Sequence, residues 1–266
     1  DELLRFFAME RFLYRLSKSA HADKFTLKGS LMLRIWDAPQ QRPTMDIDLL
    51  GRMANDVRAV ENLIREICAF QVEPDGIYFD QNTIVGQVIR EDADYEGVRI
   101  RFQGRLDNAR VTLQLDIAFD PFIATESVLS DYPTILDLPA PRMKAYSREA
   151  TIAEKFQAMV YLGNINSRMK DFYDIWLLSR HFDFDGNILA DAIKATFEHR
   201  QTQIEATPLA FTPAFNVEPT ITHQWRAFIT KNHLNDAPVD FAQVTKVLAN
   251  FLSPVSESLI ESRNFD

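Results

Sequence analysis

The stretch Thr44-Met45-Asp46-Ile47-Asp48-Leu49-Leu50 sets two acidic residues inside an apolar run of strand length. Side chains two positions apart on a strand lie on the same face of the sheet. The stretch therefore predicts a strand over residues 45–50 with Asp46 and Asp48 together on one face. Two neighbouring carboxylates repel each other, and a divalent cation such as Mg²⁺ bound between them removes that repulsion. A solvent-exposed pair of charges is the alternative interpretation.

Asp116 lies on another predicted strand with strict alternation. Residues 111–119 place apolar side chains at every second position, and Asp116 falls on the polar face between them. If this strand lies beside the strand of Asp46 and Asp48, the three carboxylates converge. Mg²⁺ or Mn²⁺ bound there could activate an attacking hydroxyl and stabilise a leaving pyrophosphate during in-line displacement.

A turn that suits phosphate precedes the first acidic strand. Lys28-Gly29-Ser30 follows a short extended run and leads into a short helix. Backbone N–H groups at such a junction can bind phosphate oxygens, and Gly29 has no side chain to obstruct the approach. A Gly-Ser pair alone is more often an ordinary turn, but its combination with the acidic strands is more specific.

The periodicity changes from mixed to helical along the chain. About the first 120 residues predict helix, strand, helix, strand, helix and then three strands. Later residues predict helices over 149–162, 167–181, 187–200, 221–233 and 240–252. We therefore expect an α+β protein with an α/β domain over residues 1–125 and a helical domain over residues 126–266.

This order of parts resembles the nucleotidyltransferase superfamily of DNA polymerase β. Members carry a Gly-Ser or Gly-Gly turn that leads a helix, then a D-x-D strand, then a third carboxylate on a later strand. More narrowly, the chain is similar to the AbiEii/AbiGii toxin family, which includes the MenT toxins. The similarity covers roughly residues 10–180, through ERFLYRLS (10–17), FTLKGS (25–30), RPTMDIDLL (42–50), EKFQA (154–158) and SRMKDFYDI (167–175). Residues 185–266 match only in being helical, and their role is not predicted.

The resemblance implies a polymerase β-like nucleotidyltransferase fold, a mixed sheet with helices, followed by a helical domain that completes the nucleotide site. The catalytic residues that it implies are Asp46, Asp48, Asp116, Lys155 and Asp171, the first three as metal ligands, and the nucleotide ligands are Lys28, Gly29, Ser30 and Lys155. Lys155 would bind the triphosphate as a point charge, and Asp171 would orient Lys155 or the nucleotide. A solvated lysine and a simple ion partner are the alternatives for these two residues.

The resemblance also implies the toxin of a toxin–antitoxin or phage-defence system, with a cognate antitoxin on a separate chain. Relatives transfer nucleotides from an NTP to RNA, and the MenT group targets the tRNA acceptor end. In that group a hydroxyl residue just before the D-x-D motif can be phosphorylated, which silences the enzyme, and Thr44 has that place here. The alternatives are a nucleotidyltransferase that modifies a small molecule or a protein hydroxyl, and a non-catalytic nucleotide-binding protein.

The composition restricts partners and compartment. The 266 residues carry a net charge of −9, whereas proteins that grip long duplexes carry a basic excess. RNA contact should therefore be local, through a basic rim drawn from Arg34, Arg42, Arg52, Arg99, Arg101, Lys144, Lys155, Arg168 and Lys170. The single cysteine, Cys68, suits the core and a reducing cytoplasm. No apolar stretch approaches the roughly 20 residues that span a bilayer, and the first residues lack the form of a signal peptide.

Overall fold

The computed structural model describes residues 2–39, 42–92, 95–119 and 127–261. Its strands are β1 (Phe25–Lys28), β2 (Ile47–Gly51), β3 (Ile77–Asp92), β4 (Tyr95–Leu106), β5 (Ala109–Phe119), β6 (Ser127–Asp131) and β7 (Arg142–Tyr146). Its helices are α1 (Glu2–Lys18), α2 (Met32–Ile35), α3 (Val57–Ala69), α4 (Arg148–Leu162), α5 (Met169–His181), α6 (Gly186–His199), α7 (Pro213–Asn216), α8 (Pro219–Lys231) and α9 (Phe241–Glu261).

The chain divides into two compact units. The first contains Asp1–Asp37 and Pro43–Tyr146, and the second contains Ala38–Arg42 and Ser147–Asp266. The predicted boundary between residues 125 and 126 lies outside the described residues. The units divide later in the chain because β6 and β7, which the helical interpretation of this region did not predict, continue the sheet of the first unit.

The first unit is built on one mixed sheet in the order β3-β4-β5-β2-β1-β7-β6. The pairs β2–β5 and β1–β7 are parallel, whereas β1–β2, β3–β4, β4–β5 and β6–β7 are antiparallel. Parallel pairing of β2 with β5 places the strand of Asp116 beside the strand of Asp48, which is the condition under which the sequence brings the three carboxylates together. The order of the first eight elements also follows the prediction.

The core of this unit contains apolar side chains of α1 and α3 together with those of one face of the sheet. Phe12 of α1 packs against Phe79 and Phe102, with ring centroids 6.0 Å and 5.3 Å apart. Apolar residues of β4 and β5 point into the same core, because their alternation gives each strand one buried face. The opposite face of β4 and β5 therefore presents the polar residues.

The second unit is helical, as predicted. Its core contains buried aromatic rings, with Phe241 of α9 lying 5.0 Å from Phe172 and 5.4 Å from Trp225 between ring centroids. Side-chain caps begin several helices, for example Ser147, whose hydroxyl accepts a hydrogen bond from the Ala150 N–H at the start of α4. In the described part of the chain, no helix is both long and apolar enough to cross a membrane.

Candidate active site

The centre of the site is a row of charged residues across four adjacent strands. Lys28 on β1 pairs in register with Asp48 on β2, and Asp48 pairs with Asp116 on β5. Asp116 in turn pairs with Arg99 on β4. Residues directly opposite each other in paired strands point to the same face, so two carboxylates lie side by side with one cationic residue beyond each of them.

Asp46 joins this pair from just outside the strand. The predicted strand over residues 45–50 is corrected here, because β2 begins at Ile47 and Asp46 lies in the preceding bend. Asp46, Asp48 and Asp116 nevertheless each offer a carboxylate oxygen within 4.8 Å of the others. The structure therefore brings together the three aspartates that the sequence singled out.

The donor set of the three aspartates fits a hard divalent cation. All three donors are carboxylate oxygens, the ligands that Mg²⁺ prefers, and opposite ligands of one Mg²⁺ lie about 4.2 Å apart. The oxygens, which lie within 4.8 Å of one another, would close by side-chain movement to that distance for an opposite pair and to about 3.0 Å for neighbouring ligands. Because the carboxylates repel each other when they stand alone, a cation would also stabilise the arrangement electrostatically.

Arg99 holds the most buried of the three carboxylates. Its Nε donates to Asp116 Oδ1 at 2.7 Å and its Nη2 to Oδ2 at 2.6 Å. The Gln114 amide adds a third bond to Oδ2 at 3.3 Å. These bonds compensate the burial of Asp116, which is 5% exposed. Each carboxylate oxygen has two lone-pair positions, so Asp116 can keep Arg99 and still contact a cation.

Gly29 packs directly against Asp48. A Cβ added to Gly29 would lie 1.9 Å from Asp48 Oδ2, and the residue has a φ of +74° that favours glycine. Gly29, Ser30 and Leu31 form a single 3₁₀ turn that continues into α2. The predicted Lys28-Gly29-Ser30 turn is therefore beside the acidic pair, with Lys28 and Ser30 both buried.

Thr44 contacts the first carboxylate of the motif. Its hydroxyl donates to Asp46 Oδ1 at 2.9 Å, and Thr44 is 5% exposed. A phosphate on this hydroxyl would set added negative charge against Asp46. Phosphorylation of Thr44 itself stays a prediction.

A second cluster lies in the helical unit. Lys155 Nζ lies 2.7 Å from Asp171 Oδ1 and 2.9 Å from Asp174 Oδ2. Arg42 donates to both oxygens of Asp174, from Nε to Oδ1 at 2.9 Å and from Nη2 to Oδ2 at 3.0 Å. A solvated lysine was the alternative interpretation of Lys155, yet its side chain is only 13% exposed, because two carboxylates accompany it into the interior.

The charges of this cluster stabilise one another. Burial disfavours the charged form of Lys155, but Asp171 and Asp174 outweigh it and raise the pKa of the ammonium group. Burial likewise works against Asp174, yet Arg42 and Lys155 hold the pKa of its carboxyl at about 2. Lys155 and Asp174 are therefore both ionised across the physiological pH range. A role for Lys155 in triphosphate binding stays a prediction.

Several residues of the expected basic rim already pair with acidic side chains. Arg42, Arg99 and Lys155 form the ion pairs described above, and Lys144 lies 2.8 Å from Asp23. Sequence reasoning placed Arg99 in the rim and missed that it pairs with Asp116. Arg101 differs, because its Nε donates to the neutral Gln114 side chain at 2.9 Å.

The structure has the arrangement that the resemblance to polymerase β-like nucleotidyltransferases implied. Its mixed sheet has Gly-Ser before one acidic strand and a third aspartate on the parallel neighbour of that strand. The family model for "Nucleotidyl transferase AbiEii toxin, Type IV TA system" matches residues 11–247. The chain belongs to this family and is a nucleotidyltransferase. The resemblance inferred from the sequence is therefore confirmed, and a type IV toxin–antitoxin family implies an antitoxin partner.

Two crystal structures from Helicobacter pylori have a similar fold. One, of JHP933, is 14% identical, with a TM-score of 0.54 over 98% of this chain and 94% of that chain. The other, described as a "putative nucleotidyltransferase", is 14% identical, with a TM-score of 0.54 over 99% of this chain and 98% of that chain. At this identity the likeness shows the fold alone, and it confirms the predicted fold class. No curated protein matches the sequence.

Proposed function

We propose that the protein transfers a nucleotide from an NTP to RNA, with the tRNA acceptor end as the target, as the toxin of a toxin–antitoxin pair. The observation that supports this most is the convergence of Asp46, Asp48 and Asp116 beside the Gly29 turn. Carboxylates next to a close-packed glycine turn suit a bound cation and a polyphosphate together. The reaction belongs in the cytoplasm, where NTPs and tRNA are present.

The transfer is an in-line displacement at the α-phosphorus of the NTP. The terminal hydroxyl oxygen of the RNA forms the new bond to the α-phosphorus and releases its proton to solvent. The bond from the α-phosphorus to the oxygen shared with the β-phosphate breaks, and pyrophosphate leaves with that electron pair. Mg²⁺ or Mn²⁺ held by Asp46, Asp48 and Asp116 would lower the pKa of the attacking hydroxyl and neutralise the developing charge. Arg99 keeps Asp116 in place throughout, through the two bonds to its carboxylate.

The other predicted residues have supporting roles in this proposal. Backbone N–H groups of Gly29 and Ser30 bind phosphate oxygens, and Lys28 adds a positive charge. Lys155 supplies a further charge to the triphosphate, and Asp171, 2.7 Å from its Nζ, orients it. Phosphorylation of Thr44 would inactivate the enzyme by repelling Asp46, with which its hydroxyl now bonds.

The test is incubation of the purified protein with total tRNA, Mg²⁺ and each labelled NTP in turn. We expect label on RNA with wild type and none with Asp46→Ala or Asp48→Ala, provided that all three melt at similar temperatures. Equal labelling by the Asp48→Ala variant would reject the assignment of the site. If wild type binds NTP and metal but leaves RNA unlabelled, the acceptor is a small molecule or a protein hydroxyl.

A further inference from the structure

Among the residues that the structure describes, the first half of β5 has no paired strand on its β2 side, next to the carboxylates. The pairing of β2 with β5 begins at Leu115, so on that side Ala109–Gln114 extend beyond the start of β2. A cavity of about 350 Å³ lies along this edge, in the size range of small-ligand pockets. Its lining includes Met45, the residue before Asp46, and Gln114, whose amide bonds to Asp116. The cavity therefore borders the candidate metal ligands.

Three arginines give the cavity a positive charge. Arg5, Arg101 and Arg110 line it, together with the polar side chains of Thr112 and Gln114, and its lining contains no carboxylate among the residues that the structure describes. Arg101 and Arg110 are exposed, and within the described ranges neither forms an ion pair with an acidic side chain. In a chain of net charge −9, such a cluster indicates an anionic ligand.

The position of this arginine cavity in the sheet indicates which anion. The sheet order β4-β5-β2-β1 sets the carboxylates in the middle, with Gly29 on the β1 side and the arginine cavity on the β5 and β4 side. In an in-line displacement the leaving group and the attacking hydroxyl lie on opposite sides of the phosphorus. If the pyrophosphate leaves beside Gly29, the nucleic-acid strand that carries the attacking hydroxyl approaches along β5.

We propose that the arginine cavity binds the last nucleotides of the acceptor RNA. Arg101 and Arg110 bind the phosphodiester groups, since a guanidinium group forms paired hydrogen bonds with phosphate oxygens. Met45 and the methylene groups of the arginine side chains provide apolar contact for a base, and Thr112 and Gln114 provide hydrogen bonds. The inference deepens the proposed function and rests on RNA being the acceptor.

The test measures RNA binding and transfer kinetics in Arg101→Gln and Arg110→Gln. Arg58→Gln is the matched control, because Arg58 is exposed on α3 and its substitution removes the same charge from the same unit. We expect each cavity variant to raise two quantities, each on the order of tenfold. They are the KM for RNA in the transfer reaction and the Kd for a fluorescent single-stranded RNA. The slope of log Kd against log salt should fall by about 0.7 per lost phosphate contact. The KM for NTP and the melting temperature should stay at wild-type values.

Arg101→Lys separates charge from geometry and should recover part of the RNA affinity, since lysine keeps the charge but not the paired hydrogen bonds. Three results would overturn the inference while the proposed function stands. The first is that both cavity variants keep the wild-type KM and Kd for RNA. The second is that the variants raise the KM for NTP and leave the KM for RNA unchanged. The third is that the variants keep their RNA affinity but are no longer neutralised by the antitoxin. Wild type that labels no RNA with any NTP would reject the proposed function and this inference with it.

Discussion

Replacing Gly29 by alanine should disable the site without unfolding the protein. A Cβ at this position would lie 1.9 Å from Asp48 Oδ2, whereas ordinary contact begins near 3.4 Å. The carboxylate must therefore retreat by about 1.5 Å, and a misplacement of about 1 Å at a reacting centre can reduce the rate about a hundredfold. The φ of +74° adds a backbone cost of about 1–2 kcal/mol to the folded state.

Gly163→Ala is the matched control for this variant. Gly163 also has a positive φ, +48°, but a Cβ there would meet only Leu209 Cδ2, at an ordinary 3.9 Å. Both variants should lose stability in thermal unfolding, because both force alanine to adopt a positive φ. Only Gly29→Ala should also show a weaker Mn²⁺ affinity, measured by calorimetry. Its rate of nucleotide transfer should fall by about two orders of magnitude. Wild-type Mn²⁺ affinity in Gly29→Ala would refute the close packing of Gly29 on Asp48.

Four further predictions concern the two clusters and the cysteine. Asp48→Asn should abolish transfer and Mn²⁺ binding while the circular dichroism spectrum stays unchanged. Lys155→Ala should raise the KM for NTP and destabilise the protein by about 3 kcal/mol in urea unfolding, because two buried carboxylates lose their shared cation. The pKa of the Asp174 carboxyl lies at about 2, below its ordinary 3.8. Its contribution to the free energy of unfolding is therefore complete above about pH 4 and is lost as the pH falls through 2. The loss of unfolding free energy at acid pH should be smaller in Asp174→Asn. Burial raises the pKa of the Cys68 thiol to about 12, so a thiol reagent at pH 8 should react only after unfolding.

The acidic half of the site could be predicted from local sequence patterns. Alternation over residues 111–119 fixes which face Asp116 occupies. The D-x-D spacing keeps Asp46 near Asp48, although Asp46 lies in the bend before β2 and not on the strand. These inferences needed only the period of a strand and one assumption, that the two strands are neighbours. The parallel register of β2 with β5 satisfies that assumption.

The pairing of Arg99 with Asp116 was missed, although the sequence contains a signal for it. Asp107 and Asn108 connect β4 and β5, with Asp107 at a φ of +51°. A two-residue turn fixes the register of a hairpin, so Leu106 faces Ala109 and, counting back along both strands, Arg99 faces Asp116. Treating the arginines only as a solvated rim overlooked this constraint.

Other features depend on tertiary context that periodicity does not contain. Val128 and Leu129 of β6 are both exposed, so this short strand has no alternating pattern to reveal it. Lys155 lies outside the apolar stripe of α4, and only its ion pairs with Asp171 and Asp174 on another helix explain its burial. Pairs between helices are set by packing, which a single sequence does not show.

The most direct test of the account compares two positions of label in the NTP. Wild type, with RNA and Mg²⁺, receives nucleotide labelled on either the α-phosphate or the γ-phosphate, and Asp116→Asn serves as the control. The account predicts α-label on the RNA, γ-label in released pyrophosphate, and neither with Asp116→Asn. Label from the γ-phosphate on RNA, or undiminished α-labelling by Asp116→Asn, would contradict nucleotidyl transfer by the three aspartates.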